Sequence, residues 1–297
     1  MHAIALTPAP GFTFFRICRW VKRVMVVYWI SAPMFVTAAP MTVVYVEPGA
    51  DYRYPVELLD LALRKSGVAY RLQANRTPML QGRALKQLAT GGMIDVVWSM
   101  TSRERETELT PIRIPIDKGL LGWRIFLIKK QNAARFANIQ SLAELQQLQA
   151  GQGHDWPDTE ILRANGINVQ GYSVFESLFN MLELGRFDYF PRSIMEIWAE
   201  EKSHAHMNLA VEQSVVLHYP TAYYFFVNKN NPTLARAIER GLRVAIKDGS
   251  FDTLFNKTYG DVVQRTRLHA RKRFELTNPL LPPLTPLGQK ELWMHLY

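Results

Sequence analysis

The stretch Ile94-Asp95-Val96-Val97-Trp98-Ser99-Met100-Thr101-Ser102-Arg103-Glu104-Arg105 joins a short apolar run to a polar cluster. A run of this kind is typical of a buried parallel strand. Thr101 or Ser102 can cap a following helix, and Glu104 or Glu106 stands near the position that completes a capping box. The stretch therefore predicts a strand, a tight turn and the start of a helix.

The predicted turn has the chemistry of an anion site. In open α/β sheets, ligands bind beyond the carboxyl ends of the strands. The turn offers backbone N–H groups, the hydroxyls of Ser99, Thr101 and Ser102, and the guanidinium of Arg105, which together suit an anionic group. The alternative is that the charges at 103–105 form only the solvated first turn of a helix.

An Asp that opens a strand, followed by Thr or Ser and then by Glu-Arg, resembles the "D…T…ER" segment of bacterial periplasmic solute-binding proteins of the type II class. The resemblance is to their amino-acid-binding branch, the family 3-type substrate-binding proteins of ABC transporters, and it covers roughly residues 41–260. It implies that Arg105 grips the carboxylate of the ligand. The spacing here is slightly shorter than in the family, so Arg103 is a second candidate.

The rest of the chain predicts an α/β protein. Apolar runs with strand character alternate with helical patterns from Met41 onward, which favours mostly parallel sheets with helices on both faces. The run Arg124–Ile128 predicts a strand that crosses out of a first lobe. With the resemblance, we expect the two-lobed type II periplasmic-binding-protein-like fold. Its expected parts are a signal peptide at 1–39, lobe one at 41–128 and 224–270, lobe two at 129–223, and a C-terminal tail at 271–297.

The front of the chain has the pattern of a secretory signal peptide. Four basic residues between Arg16 and Arg23, with no acidic residue among them, precede the apolar run Val24–Val36 and the small residues Thr37-Ala38-Ala39. This order predicts export to the periplasm and cleavage near Ala38 or Ala39. The alternative is an uncleaved N-terminal anchor.

Composition excludes several classes of function. The only cysteine, Cys18, lies within the predicted signal peptide, so disulfides, thiolate catalysis and cysteine metal sites are excluded for the mature chain. The formal net charge is +9, but the basic residues are scattered and four of them lie in the signal peptide, so we expect no nucleic-acid partner.

A second informative stretch is 151–158, Gly-Gln-Gly-His-Asp-Trp-Pro-Asp. Its glycines predict a tight loop that a ligand can approach closely, and the family resembled has a Gly-rich turn at this place, followed by a helix whose N-terminus faces the ligand. The alternative is an ordered interlobe loop in which Trp156 is only a packing anchor. The candidate ligand-binding residues here are Gly153, His154, Asp155, Trp156 and Asp158.

Lobe two also carries a departure from the family. Amino-acid binders commonly place an Asp where Ser193 stands, to hold the ammonium group of the ligand. With Arg192 beside it, Ser193 favours an anionic ligand over an amino acid. Arg192 is therefore a candidate ligand-binding residue, as are Glu47 and Tyr54, which follow the first strand.

Catalysis is not indicated. A Gly-x-Ser-x-Gly motif is absent, and His154 and Asp155, as sequence neighbours, rarely orient each other for proton transfer. His204 and His206 have the spacing of a metal pair but lack a third ligand. We expect a non-enzyme without metal or cofactor.

The function expected is capture of a small polar solute, with an anionic one favoured, in a cleft between the lobes. Hinge closure and delivery by a monomer to an ABC-type membrane permease would follow. Two alternatives stay open. One is a ligand-sensing module for a membrane receptor. The other is a periplasmic enzyme on the same fold, such as a dehydratase acting on a prephenate-like substrate.

Overall fold

The computed structural model describes Gly11, residues 39–48 and residues 53–294. The chain divides into the units Met1–Ala38 and Ala39–Tyr297, and the second unit contains both sheets and the helices that cover them. The predicted signal peptide lies outside the described residues, apart from Gly11 and Ala39. Among the helices of the described ranges, none is both long and apolar enough to traverse a bilayer.

A five-stranded sheet forms the first lobe, in the order β2-β1-β3-β11-β4. Strand β1 pairs in parallel with β2 and β3, while β11 runs antiparallel to β3 and β4. The β-branched and aromatic run of β1 buries Val43 and Tyr45 on the face that packs against helices. The strands of this sheet are β1 (Met41–Val46), β2 (Tyr70–Asn75), β3 (Val96–Met100), β4 (Thr110–Ile112) and β11 (Tyr223–Val227).

A seven-stranded sheet forms the second lobe, in the order β12-β10-β5-β8-β6-β7, with β9 also paired to β5. Strand β5 is buried along nearly its whole length and runs antiparallel to β8, β9 and β10. The strands are β5 (Trp123–Lys129), β6 (Gln149–Gly153), β7 (Asn168–Tyr172), β8 (Tyr189–Ser193), β9 (Leu209–Val211), β10 (Val215–His218) and β12 (Lys272–Glu275).

Helices cover both sheets. In lobe one, α1 packs against α9, where the backbone of Ala62 comes so close to Gly241 that a Cβ there would lie 1.7 Å from the Ala62 carbonyl oxygen. The helices are α1 (Tyr54–Lys65), α2 (Gln81–Ala89), α3 (Arg103–Glu108), α4 (Ala133–Ala137), α5 (Leu142–Leu145), α6 (Pro157–Ala164), α7 (Phe175–Glu183), α8 (Ile197–Ser203), α9 (Pro232–Lys247) and α10 (Ser250–Thr266).

The chain first passes between the sheets through 113–122 and returns through 219–222. The sequence placed the first lobe's boundary at residue 128, after the strand Arg124–Ile128. The structure differs, because this strand, β5, pairs inside the second sheet. The expected parallel pairing is also modified, since β5 and β11 each enter a sheet from the other lobe and run against their neighbours.

Two further segments connect the lobes. The first half of α10 packs against lobe one, where the rings of Phe255 and Tyr54 lie 6.5 Å apart. Its last residue, Thr266, accepts a hydrogen bond of 3.1 Å from the indole of Trp198 on α8, in lobe two. Helix α10 therefore spans both lobes.

The expected C-terminal tail is packed rather than free. Its start, β12, pairs with β10 in the second sheet, and Leu276 and Leu292 are buried. We refer to residues 276–294 as the strap. It begins on lobe two and ends on lobe one, and four prolines between 278 and 286 keep most of it out of regular secondary structure.

Candidate functional site

A cavity of about 470 Å³ lies between the two sheets. Lobe one lines it with the carboxyl end of β3 and the start of α2, and lobe two with the loop before α6 and with β8. A second recess, the side groove, of about 860 Å³, lies between the starts of α3 and α6. Both recesses are lined by Asp155, Trp156 and Pro157.

The wall of the cavity in lobe two is a network of buried ions. Arg124 is 2% exposed on β5, and its Nη2 lies 2.5 Å from Asp158 Oδ1. Arg124 Nε donates to the Tyr219 hydroxyl at 2.9 Å, and that hydroxyl donates in turn to Asp158. The Asp158 carboxylate at the start of α6 is thus held by two partners.

The neighbouring strand supplies a second buried pair. Arg192 on β8 donates through Nε and Nη2 to Glu200 of α8, at 2.8 and 2.5 Å. The guanidinium also lies 4.9 Å from the ring centre of Trp156, over its face. Arg192, predicted as a ligand-binding residue, lines the cavity but already has a carboxylate partner.

Glu196 links the two pairs. Its Oε2 lies 3.1 Å from Arg192 Nη2 and 3.8 Å from Arg124 Nη1, and its side chain is a quarter exposed, lining the cavity. Burial raises the pKa of the Glu196 carboxyl, which Arg192 counteracts. The network thus sets two guanidinium groups against three carboxyl groups, and lobe two holds no excess positive charge at this wall.

Arg105 is in a different situation. Ser102 caps α3 by accepting from the Arg105 backbone N–H at 3.2 Å, as the sequence predicted for this turn. The half-buried guanidinium donates to three neutral acceptors: Ser99 Oγ and the Met100 carbonyl at 2.7 Å, and Gln81 Oε1 at 3.0 Å. Among the described residues, no carboxylate lies within ion-pair distance of it.

Burial lowers the pKa of the Arg105 guanidinium, while the charges of Asp158 and Asp155, in lobe two, raise it. Arg105 lines the side groove rather than the cavity, although its partners Met100 and Gln81 line the cavity. The guanidinium therefore lies beside the cavity, next to the shared wall that contains Asp155.

Aromatic side chains complete the cavity. Trp98 projects from β3 and contacts Tyr45 and Phe225 at ring distances of 6.2 and 6.4 Å. It packs against the core of lobe one and also lines the cavity. Trp156 stacks beside Phe190 at 6.4 Å. The remaining aromatic lining residues are Tyr172, Phe175 and Tyr223. Such a wall suits the apolar part of a small solute.

Four predicted residues lie away from the two recesses. One of them, Ser99, is fully buried and accepts a hydrogen bond from the Arg105 guanidinium. Thr101 is fully buried. Its hydroxyl donates to Glu106 at 2.7 Å, and its backbone N–H donates to the Ala222 carbonyl. Tyr54 is in the core of lobe one, where its hydroxyl donates to the Ile116 carbonyl at 2.6 Å. Glu47 lies 3.5 Å from Arg53.

The stretch 151–158 is only partly the loop that its glycines predicted. Gly151 and Gly153 belong to β6, while residues 154–156 form a turn that leads into α6. A Cβ on Gly151 would lie 2.3 Å from the Phe187 ring, and one on Gly153 would lie 2.4 Å from Trp156. These glycines therefore admit aromatic rings onto the strand. Of the other predicted residues, Gly153 and Asp158 line the cavity, while His154 and Ser102 line the side groove.

Sequence reasoning missed Arg124, Glu196 and Tyr223 as site residues. A charged residue inside the otherwise apolar Trp123–Ile128 was the available signal for Arg124, because an unpaired charge is not buried without cost. Glu196 stands between Met195 and Ile197, in the turn before α8, so a charged residue among apolar ones was the available signal there too. Within the described ranges, no three His, Cys, Asp or Glu side chains form a metal-binding group.

The two sheets, their crossing segments and the cavity between them define the type II periplasmic-binding-protein fold. Several solved structures share it. An ancestral arginine-binding protein bound to glutamine matches with a TM-score of 0.59 at 20% identity, over 75% of this chain and 100% of that one. The probable amino-acid ABC transporter extracellular-binding protein ytmK from Bacillus subtilis matches with a TM-score of 0.58 at 19% identity, over 75% and 99% of the two chains.

A histidine kinase sensor domain with similarity to periplasmic binding proteins matches with a TM-score of 0.55 at 15% identity, over 75% of this chain and 97% of that one. No family model and no curated protein sequence matches this chain. At such identities the likeness is one of fold, and a quarter of this chain lies outside it.

Proposed function

We propose that this protein is a periplasmic solute-binding protein that captures a small polar solute with an anionic group between its lobes and delivers it to an ABC-type transporter. The kind of site supports binding rather than catalysis: the cavity has aromatic walls, and the charged groups of its lobe-two wall pair with one another. The named roles of the structurally similar proteins, two of which are amino-acid or arginine binders, support the same interpretation.

The observation that carries the proposal is the guanidinium of Arg105. A guanidinium group removed from water is stabilised most by a carboxylate or similar oxyanion, which it can hold with two parallel hydrogen bonds. Its present acceptors are all neutral. Arg124 and Arg192, by contrast, already pair with carboxylates. Of these three guanidinium groups, Arg105 should therefore bind a ligand anion most strongly.

The proposed ligand-binding residues follow from this position. Beside Arg105 the proposed contact is Ser102, and across the gap the contacts are Asp155 and Trp156. Ser99, which is fully buried, would hold the Arg105 guanidinium in place through its hydroxyl. Hinge closure would bring the two walls together and exclude water, which strengthens a charged hydrogen bond. The further proposed contacts, which line the cavity in lobe two, are Gly153, Asp158, Arg192 and Glu196.

A thermal-shift screen of the purified protein against small carboxylates and other polar metabolites tests the proposal. A ligand at 100 times its dissociation constant adds about 2.7 kcal/mol to the free energy of unfolding. The same hit should not stabilise Arg105→Ala, while Arg163→Ala, in the same groove, serves as the matched control. If the hit stabilises Arg105→Ala as strongly as the wild type, the assigned anion site is wrong.

A second candidate is a ligand-sensing role, favoured by the fold shared with a histidine kinase sensor domain. Uptake of the identified ligand by cells that lack this protein separates the two. Loss of uptake supports transport, whereas unchanged uptake with an altered response to the ligand supports sensing.

A further inference from the structure

The strap contacts lobe two first. The Leu276 N–H donates to the His218 carbonyl at 2.7 Å, which continues the pairing of β12 with β10. Thr277 then forms a two-way link with Asn165, at the end of α6. Its N–H donates to Asn165 Oδ1 at 2.9 Å, and its carbonyl accepts from Asn165 Nδ2 at 2.7 Å.

The strap next reaches lobe one within a few residues. The Leu280 carbonyl accepts the N–H of Arg103 at 3.2 Å, at the first turn of α3. Asn278 lies between the two anchors and shapes the turn: its Oδ1 accepts the Leu280 N–H at 2.9 Å. This is a short bridge over the boundary between the lobes.

The strap also contacts both segments through which the chain passes between the sheets. Asn278 Nδ2 donates to the Pro220 carbonyl at 2.9 Å, in the returning segment. At its other end, the Met294 N–H donates to the Lys118 carbonyl at 2.9 Å, in the outgoing segment. Each hinge segment is therefore bonded to the strap.

Trp293 holds the outgoing segment most closely. Its ring lies against Gly119, where a Cβ would be 2.6 Å from Trp293 Cε3. Lys118 and Gly119 both have positive φ, 51° and 80°, so the hinge turns sharply at the place that the indole covers. The indole N–H donates to the Pro286 carbonyl at 2.9 Å, which fixes the ring within the strap.

We propose that the strap, residues 276–294, is a conformational restraint that holds the two lobes near the separation seen here and limits how far the hinge opens. A hinge of two segments can rotate if its φ/ψ angles are free to change. Here each segment is bonded to a third piece of chain that is anchored in both lobes. Opening must therefore break the contacts at Asn278, Trp293 or both.

The restraint also bears on access to Arg105. Leu280 lines the side groove together with Arg103 and Arg105. Displacement of the strap therefore widens the groove beside the proposed anion site. This consequence rests on the proposed function, but the restraint itself does not require any ligand.

The test measures the distance between the lobes in the ligand-free full chain. Nitroxide labels are placed at Met93→Cys in lobe one and Leu184→Cys in lobe two, both exposed, in a Cys18→Ser background. Pulsed electron spin resonance then gives the distribution of distances. The test variant carries about six inserted Gly and Ser residues, a flexible linker, between Asn278 and Pro279.

We expect this insertion to broaden the distribution and shift it to longer distances. The same insertion between Lys229 and Asn230, in an exposed turn of lobe one, should leave it unchanged. Asn278→Ala keeps the length of the strap and removes only the side-chain hydrogen bonds to Leu280 and Pro220, so it should produce a smaller shift in distance. This variant keeps the test decisive if the insertion variant does not fold. If Asn278→Ala and every folded strap variant give the wild-type distribution, the strap is not a restraint.

Because this measurement needs no ligand, it separates the two proposals. A widened distribution with no ligand found in the screen would leave the restraint standing and remove support for solute capture. If the distance distribution is unchanged in the strap variants and the protein binds a carboxylate through Arg105, solute capture is supported and the restraint is ruled out.

Discussion

Arg124 Nη2 and Asp158 Oδ1 lie 2.5 Å apart in the wall of the cavity, and both side chains are almost completely buried. The pair joins the middle of the second sheet to the start of α6. A buried pair is weak evidence for stability by itself, yet breaking one leaves an uncompensated charge. Its two members should therefore be sensitive to truncation even before any ligand is considered.

Asp158→Ala should lower the free energy of unfolding by about 3–5 kcal/mol, the usual cost of removing one partner of a buried ion pair. Glu196, 3.8 Å from Arg124, moderates the loss. Urea unfolding measures it. The control is Glu239→Ala, which breaks an exposed pair with Arg243 and should cost about 0.3–0.5 kcal/mol. Equal losses in the two variants would contradict the role assigned to the pair.

Arg105→Ala should weaken ligand binding by about 2–5 kcal/mol, or roughly 30-fold to several thousand-fold in dissociation constant. The melting temperature of the ligand-free protein should stay within a few degrees, because the guanidinium contacts only neutral acceptors at the surface of a groove. Arg105→Lys should recover part of the affinity, since an ammonium cannot reproduce the planar fork. Calorimetry measures both.

Arg103→Ala provides the comparison for that experiment. Arg103 is exposed and its Nε lies 3.5 Å from the Leu281 carbonyl, so its side chain faces the strap. Full affinity in Arg105→Ala combined with lost affinity in Arg103→Ala would move the anion site by two residues. Full affinity in both would remove the anion site from this turn.

Asp117 should make folding stability depend on pH. It is fully buried in the outgoing hinge segment, and burial raises its pKa from 3.8 to about 6, although the N–H groups of Leu121 and Gly119 donate to it. Between about pH 4 and pH 6, the Asp117 carboxyl is therefore protonated in the folded state and ionised in the unfolded state. Stability should fall as pH rises from about 4 to about 6, by roughly 2–3 kcal/mol, and then level off.

Asp117→Asn isolates this effect, because an amide does not titrate. The difference in unfolding free energy between variant and wild type, from urea unfolding at about pH 4 and about pH 7, should change in favour of the variant at the higher pH. A difference that is the same at both pH values would show that the Asp117 carboxyl does not titrate in this range.

Ligand binding should change the tryptophan fluorescence of the protein. Trp98 and Trp156 line the cavity from opposite lobes, so closure changes the water contact of both indoles. Trp98→Phe should reduce the amplitude of the change on titration with the ligand. Trp198→Phe should not, because Trp198, on α8, packs under Arg265 and away from the cavity. If Trp198→Phe removes the signal instead, the ligand does not bind between these indoles.

Local patterns predicted much of this fold. The strand run at β3 and the helix cap by Ser102 depend on residues close together in the chain, and both are present. The antiparallel direction of β5 was not predictable in this way, because hydrophobic runs are alike in either direction. Pairing between distant strands decides it.

The candidate site was predicted less completely for the same reason. The Thr101 side chain points toward Glu106 instead of the cavity, because successive side chains along a strand point to opposite faces of the sheet. Arg124 becomes a cavity residue only through its contact with Asp158 and Tyr219, which lie far from it in the sequence. The packing of the strap likewise could not be predicted, because it depends on contacts with Asn165, Pro220 and Lys118, which lie far from it in the sequence.

Helix α10 couples the movements of the two lobes, because it packs against both of them. At 1.5 Å per residue its 17 residues form a rod of about 25 Å. Phe255 and Tyr259, near its middle, pack against Tyr54 in lobe one, and Thr266 at its end is bonded to Trp198 in lobe two. A rigid rod cannot shorten when lobe two rotates, so its ends must tilt or slide. Rotation of lobe two would thereby move α10 against α1 and α9, the helices of lobe one that it contacts.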